Sequence, residues 1–248
     1  MKARRLYIHV GYPKCGSTSL QAALAHKEGL TYPSAGRHAD EHISLPLYLK
    51  GVDSWTSQWF SEDWVSEQHE KLLQEISEAE GDVYLSSERL ISLTPDQIEN
   101  LSHIFKDWDI HILVLIRSID RYLDSTWRHA VFWHDYPETK ETFIEIARNF
   151  SFQKFIDIFS SKFDTHIFNI DDKNLVSKIK DITGITLIIE HKNVGIPEDL
   201  ANLLQKTHRL MGSSEFKSAF PFRIKEEMRL ATMGERSPII DPLDAVIF

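Results

Sequence analysis

Leu6-Tyr7-Ile8-His9-Val10-Gly11-Tyr12-Pro13-Lys14-Cys15-Gly16-Ser17-Thr18-Ser19-Leu20-Gln21 is the stretch on which the fold turns. Residues 6–10 read as a buried strand, Gly11 and Gly16 bracket a turn, and Ala22, Ala23, Leu24 and Ala25 propagate a helix. A helix that begins this way offers unpaired backbone N–H groups and a partial positive charge at its first turn. Ser17, Thr18 and Ser19 add hydroxyl donors and Lys14 adds a full charge, so the turn is built to hold an anion. Lys14 sits inside that turn rather than on a helix face, which favours an anion ligand over a solvated surface lysine.

A nucleotide loop of the Walker type requires G-x-x-x-x-G-K-[ST]. Gly11 and Gly16 keep the glycine spacing, but Ser17 follows Gly16 and the lysine stands three places earlier. A kinase also needs a carboxylate at a strand end for magnesium, whereas the apolar run 110–116 ends in Arg117. That arginine suggests a second anion site, and it leaves a nucleotide kinase as the weaker alternative.

Outward from the turn, apolar runs recur at 83–85, 110–116, 167–170 and 187–189, separated by helical patterns. Near-continuous apolar strands between helices predict a parallel sheet covered on both faces, an α/β three-layer sandwich. Thr94-Pro95-Asp96-Gln97 carries the signature of a capped helix start, with Ile98, Leu101 and Phe105 as its buried face. Val65, Leu72, Leu73, Ile76 and Ala79 repeat at helical spacing, and Gly81 is expected to cap that helix. With no repeat, linker or low-complexity tract, residues 1–248 are read as one domain.

The chain's 248 residues are 42% hydrophobic and 26% charged, which excludes a disordered tail, a fibre and a disulfide scaffold. The single Cys15 cannot pair within the chain, so a reducing, cytoplasmic setting is expected. No apolar run approaches the ~20 residues of a membrane helix, and 5–10 is too short for the core of a signal peptide. A net charge of −9 argues against nucleic acid as a partner. Residues 51–100 hold twelve acids and two bases, so the remainder sums to +1 and does not oppose an anionic ligand; the acidic block itself reads as solvated helix surface.

Pro13-Lys14-Cys15-Gly16-Ser17-Thr18-Ser19-Leu20 resembles the 5′-phosphosulfate loop of sulfotransferases that use 3′-phosphoadenosine 5′-phosphosulfate (PAPS), approximately P-K-x-G-T-[ST]-x-L, with Ser17 in place of threonine. In that family a strand-end arginine and a serine eight residues later hold the 3′-phosphate, and Arg117 and Ser125 reproduce the spacing, although Ile119 replaces the usual proline. His9-Val10-Gly11, Gln21, Tyr32-Pro33 and Ser86-Ser87-Glu88 are similar to bacterial, carbohydrate-type members. The likeness covers residues 6 to about 130 well and the remainder in general plan. It implies a P-loop-like sulfotransferase fold, PAPS as co-substrate without a required metal, and cofactor contacts from Lys14, Cys15, Gly16, Ser17, Thr18, Ser19, Arg117 and Ser125. It further implies an acceptor hydroxyl on a glycan or glycolipid. The family's basic C-terminal segment has no counterpart beyond Arg223 and Lys225, which read as helix surface.

In-line sulfuryl transfer needs a base for the acceptor proton and a cation for the leaving oxygen, and the resemblance gives Lys14 the second role. Glu88, just past the 83–85 strand where α/β sheets place ligands, is the first choice of base; the bland reading pairs it with Arg89. Other members take the base from the segment after the first helix, where His38, Glu41 and His42 stand, and His42 is the second choice. Cys15 is expected to be passive in catalysis, with alkylation there blocking the site by bulk. Trp55, Trp59 and Trp64 could stack on sugars, but loop packing is the favoured reading. An inert nucleotide-binding scaffold of the same fold stays open as an alternative.

Overall fold

A computed structural model describes residues 4–54, 56–189 and 196–232, apart from the side chains of 223, 227 and 230–232. In chain order the elements are β1 (Arg5–Gly11), α1 (Ser17–Ala25), β2 (Arg37–His38), β3 (Glu41–His42), α2 (Ser44–Lys50), α3 (Glu62–Glu78), β4 (Val83–Ser87), α4 (Pro95–Ile104) and β5 (Asp109–Ile116). There follow α5 (Ile119–His134), α6 (Lys140–Ile146), α7 (Gln153–Ser160), β6 (Asp164–Asn169), α8 (Leu175–Thr183), α9 (Glu198–Met211), α10 (Ser213–Ala219) and α11 (Phe222–Thr232). The chain divides into two compact units, 1–118 with 151–193, and 119–150 with 194–248.

The first unit holds a wholly parallel four-stranded sheet of order β4-β1-β5-β6, so the α/β class read from the apolar runs is what the chain forms. Leu6, Tyr7, Ile8 and Val10 are all fully buried, which requires cover on both faces of β1. Tyr7 stacks on Tyr84 and its hydroxyl donates to the Ile182 carbonyl at 3.1 Å, tying the sheet to α8. Because β4 and β5 lie on opposite sides of β1, the chain reverses direction there, and the loops leaving the carboxyl ends of β1 and β5 flank one crevice.

Two local expectations differ from the structure. Residues 187–189 form no strand; Leu187 is buried as irregular chain beside Leu20, Leu24 and Ile179, where apolar character alone is satisfied. Gly81 does not cap α3 with a left-handed residue. The helix ends on extended Ala79, and the Arg4 guanidinium donates to the carbonyls of Ser77 and Ala79 at 3.4 and 2.7 Å, answering the terminal carbonyls a glycine cap would serve. The α4 start forms as read: Thr94 and Gln97 exchange a full capping box, and Ile98, Leu101 and Phe105 are buried. Phe60 and Trp64 pack with Ile43, Leu47 and Val65 between α2 and α3, the loop-packing reading for Trp64, whereas Trp59 is 43% exposed and Trp55 lies outside the described residues.

The second unit is helical. Trp127, Val131 and Phe132 of α5 join Leu200, Ala201 and Leu204 of α9 and Phe216 of α10 in one core. Asp124 pairs with both Arg128 and Lys140, and buried Lys225 donates to the Phe132 carbonyl and pairs with Asp135 at 2.8 Å. Lys225 is therefore a structural ion-pair partner and not the exposed helix face expected of it, while the Arg223 side chain lies outside the description. Among the described residues no helix is long and apolar enough to cross a membrane.

Candidate functional site

The turn between β1 and α1 is held by backbone geometry that the sequence supplies at a cost. Gly16 caps α1 in the left-handed region at φ 79°, which glycine adopts freely. Lys14 also lies there, at φ 66°, a conformation that strains an L-residue by roughly 1–2 kcal/mol. Such strain persists only where the surroundings impose it, and it clusters at ligand clamps. Gly11 has a different reason. A Cβ on it would stand 2.5 Å from Ser17 Oγ and 2.8 Å from His9 Nε2, so only glycine lets the strand end and the helix start approach this closely.

The structure brings Lys14, Cys15, Gly16, Ser17, Thr18, Ser19, Glu88 and Arg117 around this turn at the carboxyl ends of β1, β4 and β5. Arg117 Nη1 donates to the Lys14 carbonyl at 3.0 Å, while its Nε is buried without a partner. Ser17 Oγ and His9 Nε2 are likewise buried and unpartnered. A buried donor with nothing to bond costs about 1–3 kcal/mol, so the turn holds polarity in excess of what the chain itself uses. Burial pushes the Cys15 thiol up to about 12, against the pull of Arg117, so the thiol stays protonated and inert. Burial lowers the Lys14 ammonium from its ordinary value, and the charge of Glu88 opposes that shift.

Glu88 opens the helical turn after β4 with its side chain toward the anion loop. Burial raises its carboxyl to about 7, the neighbouring Glu41 pushes the same way, and Ser17 and Lys14 pull it back. The Ser17 hydroxyl is near enough to be felt there yet short of hydrogen-bond geometry. Glu41 earns its place by accepting from Ser87 Oγ at 2.6 Å and from the Glu88 backbone N–H at 3.1 Å, so β3 fixes the turn that carries Glu88. In the sequence Glu41 is only one of three acids and bases in its segment; its role as a brace depends on the β2–β3 hairpin lying against the end of β4, which no local pattern announces.

His42 is placed otherwise. It is 1% exposed, its Nδ1 accepts from the Ser86 N–H at 3.2 Å, and its Nε2 then donates to the Pro33 carbonyl at 2.9 Å. Burial drives it down to about 3, so it is a neutral imidazole with both nitrogens occupied. His9 is a second buried neutral ring, pushed to about 3, with Nδ1 2.7 Å from Ser86 Oγ. Ser125 lies half-buried on α5 of the second unit.

No family model and no curated protein matches the chain. A solved sulfotransferase from Alicyclobacillus acidocaldarius is 13% identical, with a TM-score of 0.52 over 87% of this chain and 99% of that one. The sulfotransferase domain of the curacin biosynthetic pathway is 14% identical over 95% and 99%, with a TM-score of 0.41. Mouse sulfotransferase SULT7A1, solved with PAP, is 11% identical over 97% and 80%, with a TM-score of 0.43. Kinase-like structures also match. The first of these likenesses shows that the fold is of the sulfotransferase kind, a mostly parallel sheet flanked by helices.

Proposed function

We propose that the protein is a PAPS-dependent sulfotransferase in which residues 1–248 act as a single domain in the cytoplasm, sulfating a hydroxyl of a carbohydrate or glycolipid. The observation that carries the reading is the Glu88 carboxyl, raised to about 7, set against Lys14 and Ser17 of an anion-shaped turn. A carboxylate poised near neutrality beside a lysine is a base placed next to a cation, the two groups that in-line transfer between oxygens requires.

The residues present fit the co-substrate. Ser17 Oγ and Arg117 Nε are buried without a partner in the chain, a helix start leaves its first amides without intrahelical acceptors, and an anion supplies acceptors to all of them. In this reading the loop holds the 5′-phosphosulfate and Arg117 contributes to holding the 3′-phosphate. The acceptor hydroxyl gives its proton to Glu88 as its oxygen bonds to sulfur, and the sulfur–oxygen bond to the phosphate breaks. Lys14 offsets the charge that gathers on the departing oxygen. His42, with both nitrogens occupied, braces the strand behind Glu88.

The test is ligand binding followed by turnover. Adenosine 3′,5′-bisphosphate should raise the melting temperature without magnesium while ATP leaves it in place, since a ligand at 100 times its Kd stabilises by ~2.7 kcal/mol. Sulfate transfer from PAPS to a panel of glycans should then be measured. Binding without turnover on any hydroxyl acceptor would leave an inert scaffold, and a shift with Mg-ATP alone would return the kinase.

A further inference from the structure

At the opposite, amino-terminal end of the sheet, β5 and β6 bring together a group of side chains that the proposed reaction does not use. Side chains two apart on a strand share a face, so Asp109 and His111 project with Asp164 and His166, whose strands pair His111 with Asp164 in register. His111 Nδ1 stands 3.2 Å from His166 Nε2 and 3.3 Å from Asp164 Oδ2, and His166 Nε2 stands 3.5 Å from the same oxygen. A tetrahedral zinc ion with ligands at about 2.1 Å separates those ligands by about 3.4 Å, so one ion fits at bonding distance from all three atoms.

The hydrogen-bond chemistry leads the same way. His111 Nε2 lies 3.2 Å from Asp109 Oδ2, and when it donates there the neutral ring leaves a bare lone pair on Nδ1. That lone pair faces Asp164 Oδ2 and His166 Nε2; the second imidazole answers it with a hydrogen bond when its proton is on Nε2, and when that proton sits on Nδ1 three ligand atoms surround one point that an ion can fill. The Asp109 contact is also the carboxylate that orients a metal-bound histidine from behind. Asp164 is 60% exposed while the histidine side chains are 12% and 19% exposed, so solvent can deliver an ion and supply a fourth ligand.

We propose that His111, Asp164 and His166 form a binding site for one divalent transition-metal ion of the zinc class, with Asp109 positioning His111. Two imidazole nitrogens and one carboxylate suit Zn2+, Co2+, Ni2+ or Cu2+ and not Mg2+ or Ca2+. The site lies six residues before Arg117 along β5, about 20 Å of strand away, so it serves the fold and not the transfer. β6 pairs with β5 alone, and its far end runs into Ile170, packed against Gly16, and Asp171, which accepts from the Ser118 N–H at 3.2 Å. An ion across His111 and His166 staples that edge strand in place.

The experiment uses the full chain without an affinity tag, stripped with a chelator and dialysed. Zn2+ is titrated in competition with a chromophoric chelator, and Co2+ is added separately to read its visible spectrum. The wild type is expected to take one equivalent of Zn2+, to give the intense bands of tetrahedral Co2+, and to gain about 5 °C in Tm at a hundredfold excess over Kd. Asp164→Asn, at an exposed position that should leave folding intact, and His166→Ala should weaken binding at least about 100-fold, and Asp109→Asn about 10- to 100-fold. His103→Ala, an exposed histidine elsewhere, should change nothing. No bound equivalent in the wild type, only weak octahedral Co2+ bands, or undiminished affinity in both Asp164→Asn and His166→Ala would overturn the site.

Discussion

The two ends of the one parallel sheet handle polarity in opposite ways. At the carboxyl end, β1, β4 and β5 run into a turn where Ser17 Oγ, His9 Nε2 and Arg117 Nε are buried with no partner and Lys14 is bent into the left-handed region. At the amino end, Asp109, His111, Asp164 and His166 face one another within 3.2 to 3.5 Å. One end leaves donors over and waits for acceptors; the other gathers imidazole nitrogens and carboxylate oxygens around a point. The lesson is that a ligand's charge can be read from which kind of group the fold leaves unanswered.

The largest effect that would sharpen this contrast is kinetic. Glu88→Gln should lower kcat by ~100- to 10,000-fold while the adenosine bisphosphate thermal shift survives. The wild-type kcat should rise with pH through about 7, as the base loses its proton, and that limb should vanish in the variant. Because the folded carboxyl is raised above its ordinary value, its ionisation opposes folding at higher pH, so Glu88→Gln should melt later than the wild type at pH 8. A variant that keeps turnover would break the assignment of the carboxyl end.

Lys14→Ala comes next, with an expected loss of ~100- to 1,000-fold in kcat, the effect of removing one donor from developing negative charge. Gly11→Ala should cost about 1–3 kcal/mol in denaturant unfolding and should abolish the nucleotide shift, since the new methyl displaces Ser17 and His9. His42→Ala should destabilise by about 1–3 kcal/mol by orphaning the Ser86 N–H and the Pro33 carbonyl, leaving the pH limb of kcat in place.

The last effect is on acid stability. His9 and His42 are both held near about 3, below their unfolded value, so the unfolded chain takes up protons first. Their contribution is therefore whole above about pH 6.5 and is lost below it at up to about 1.4 kcal/mol per pH unit for each ring. Unfolding curves at pH 7 and pH 5 measure this directly, and a flat profile would mean that the rings are not sealed.

Much of the carboxyl end was legible because its chemistry is local. Gly11, Lys14, Gly16 and the three hydroxyls sit within nine residues, and the runs 83–85 and 110–116 announce strands by apolar content alone. Glu88 follows from its place at a strand end. What stayed hidden depends on pairing between distant segments. Glu41 matters only because β3 lies beside β4, and His42 loses its freedom only when Ser86 and Pro33 close on it. The amino-end cluster escaped notice for the same reason: Asp164, Thr165 and His166 do not form an apolar run, and nothing between 111 and 164 in the sequence signals that parallel register brings them together.

The sealed Cys15 thiol gives the molecule an internal clock. A protonated sulfur at 0% exposure reacts with iodoacetamide only when the loop lifts off its bed, so the labelling rate in native buffer counts openings. Peroxide at modest concentration should leave the preparation unharmed on storage without added reductant. Nucleotide in the loop should slow the clock, turning the lone sulfur into a gauge of occupancy that needs no acceptor.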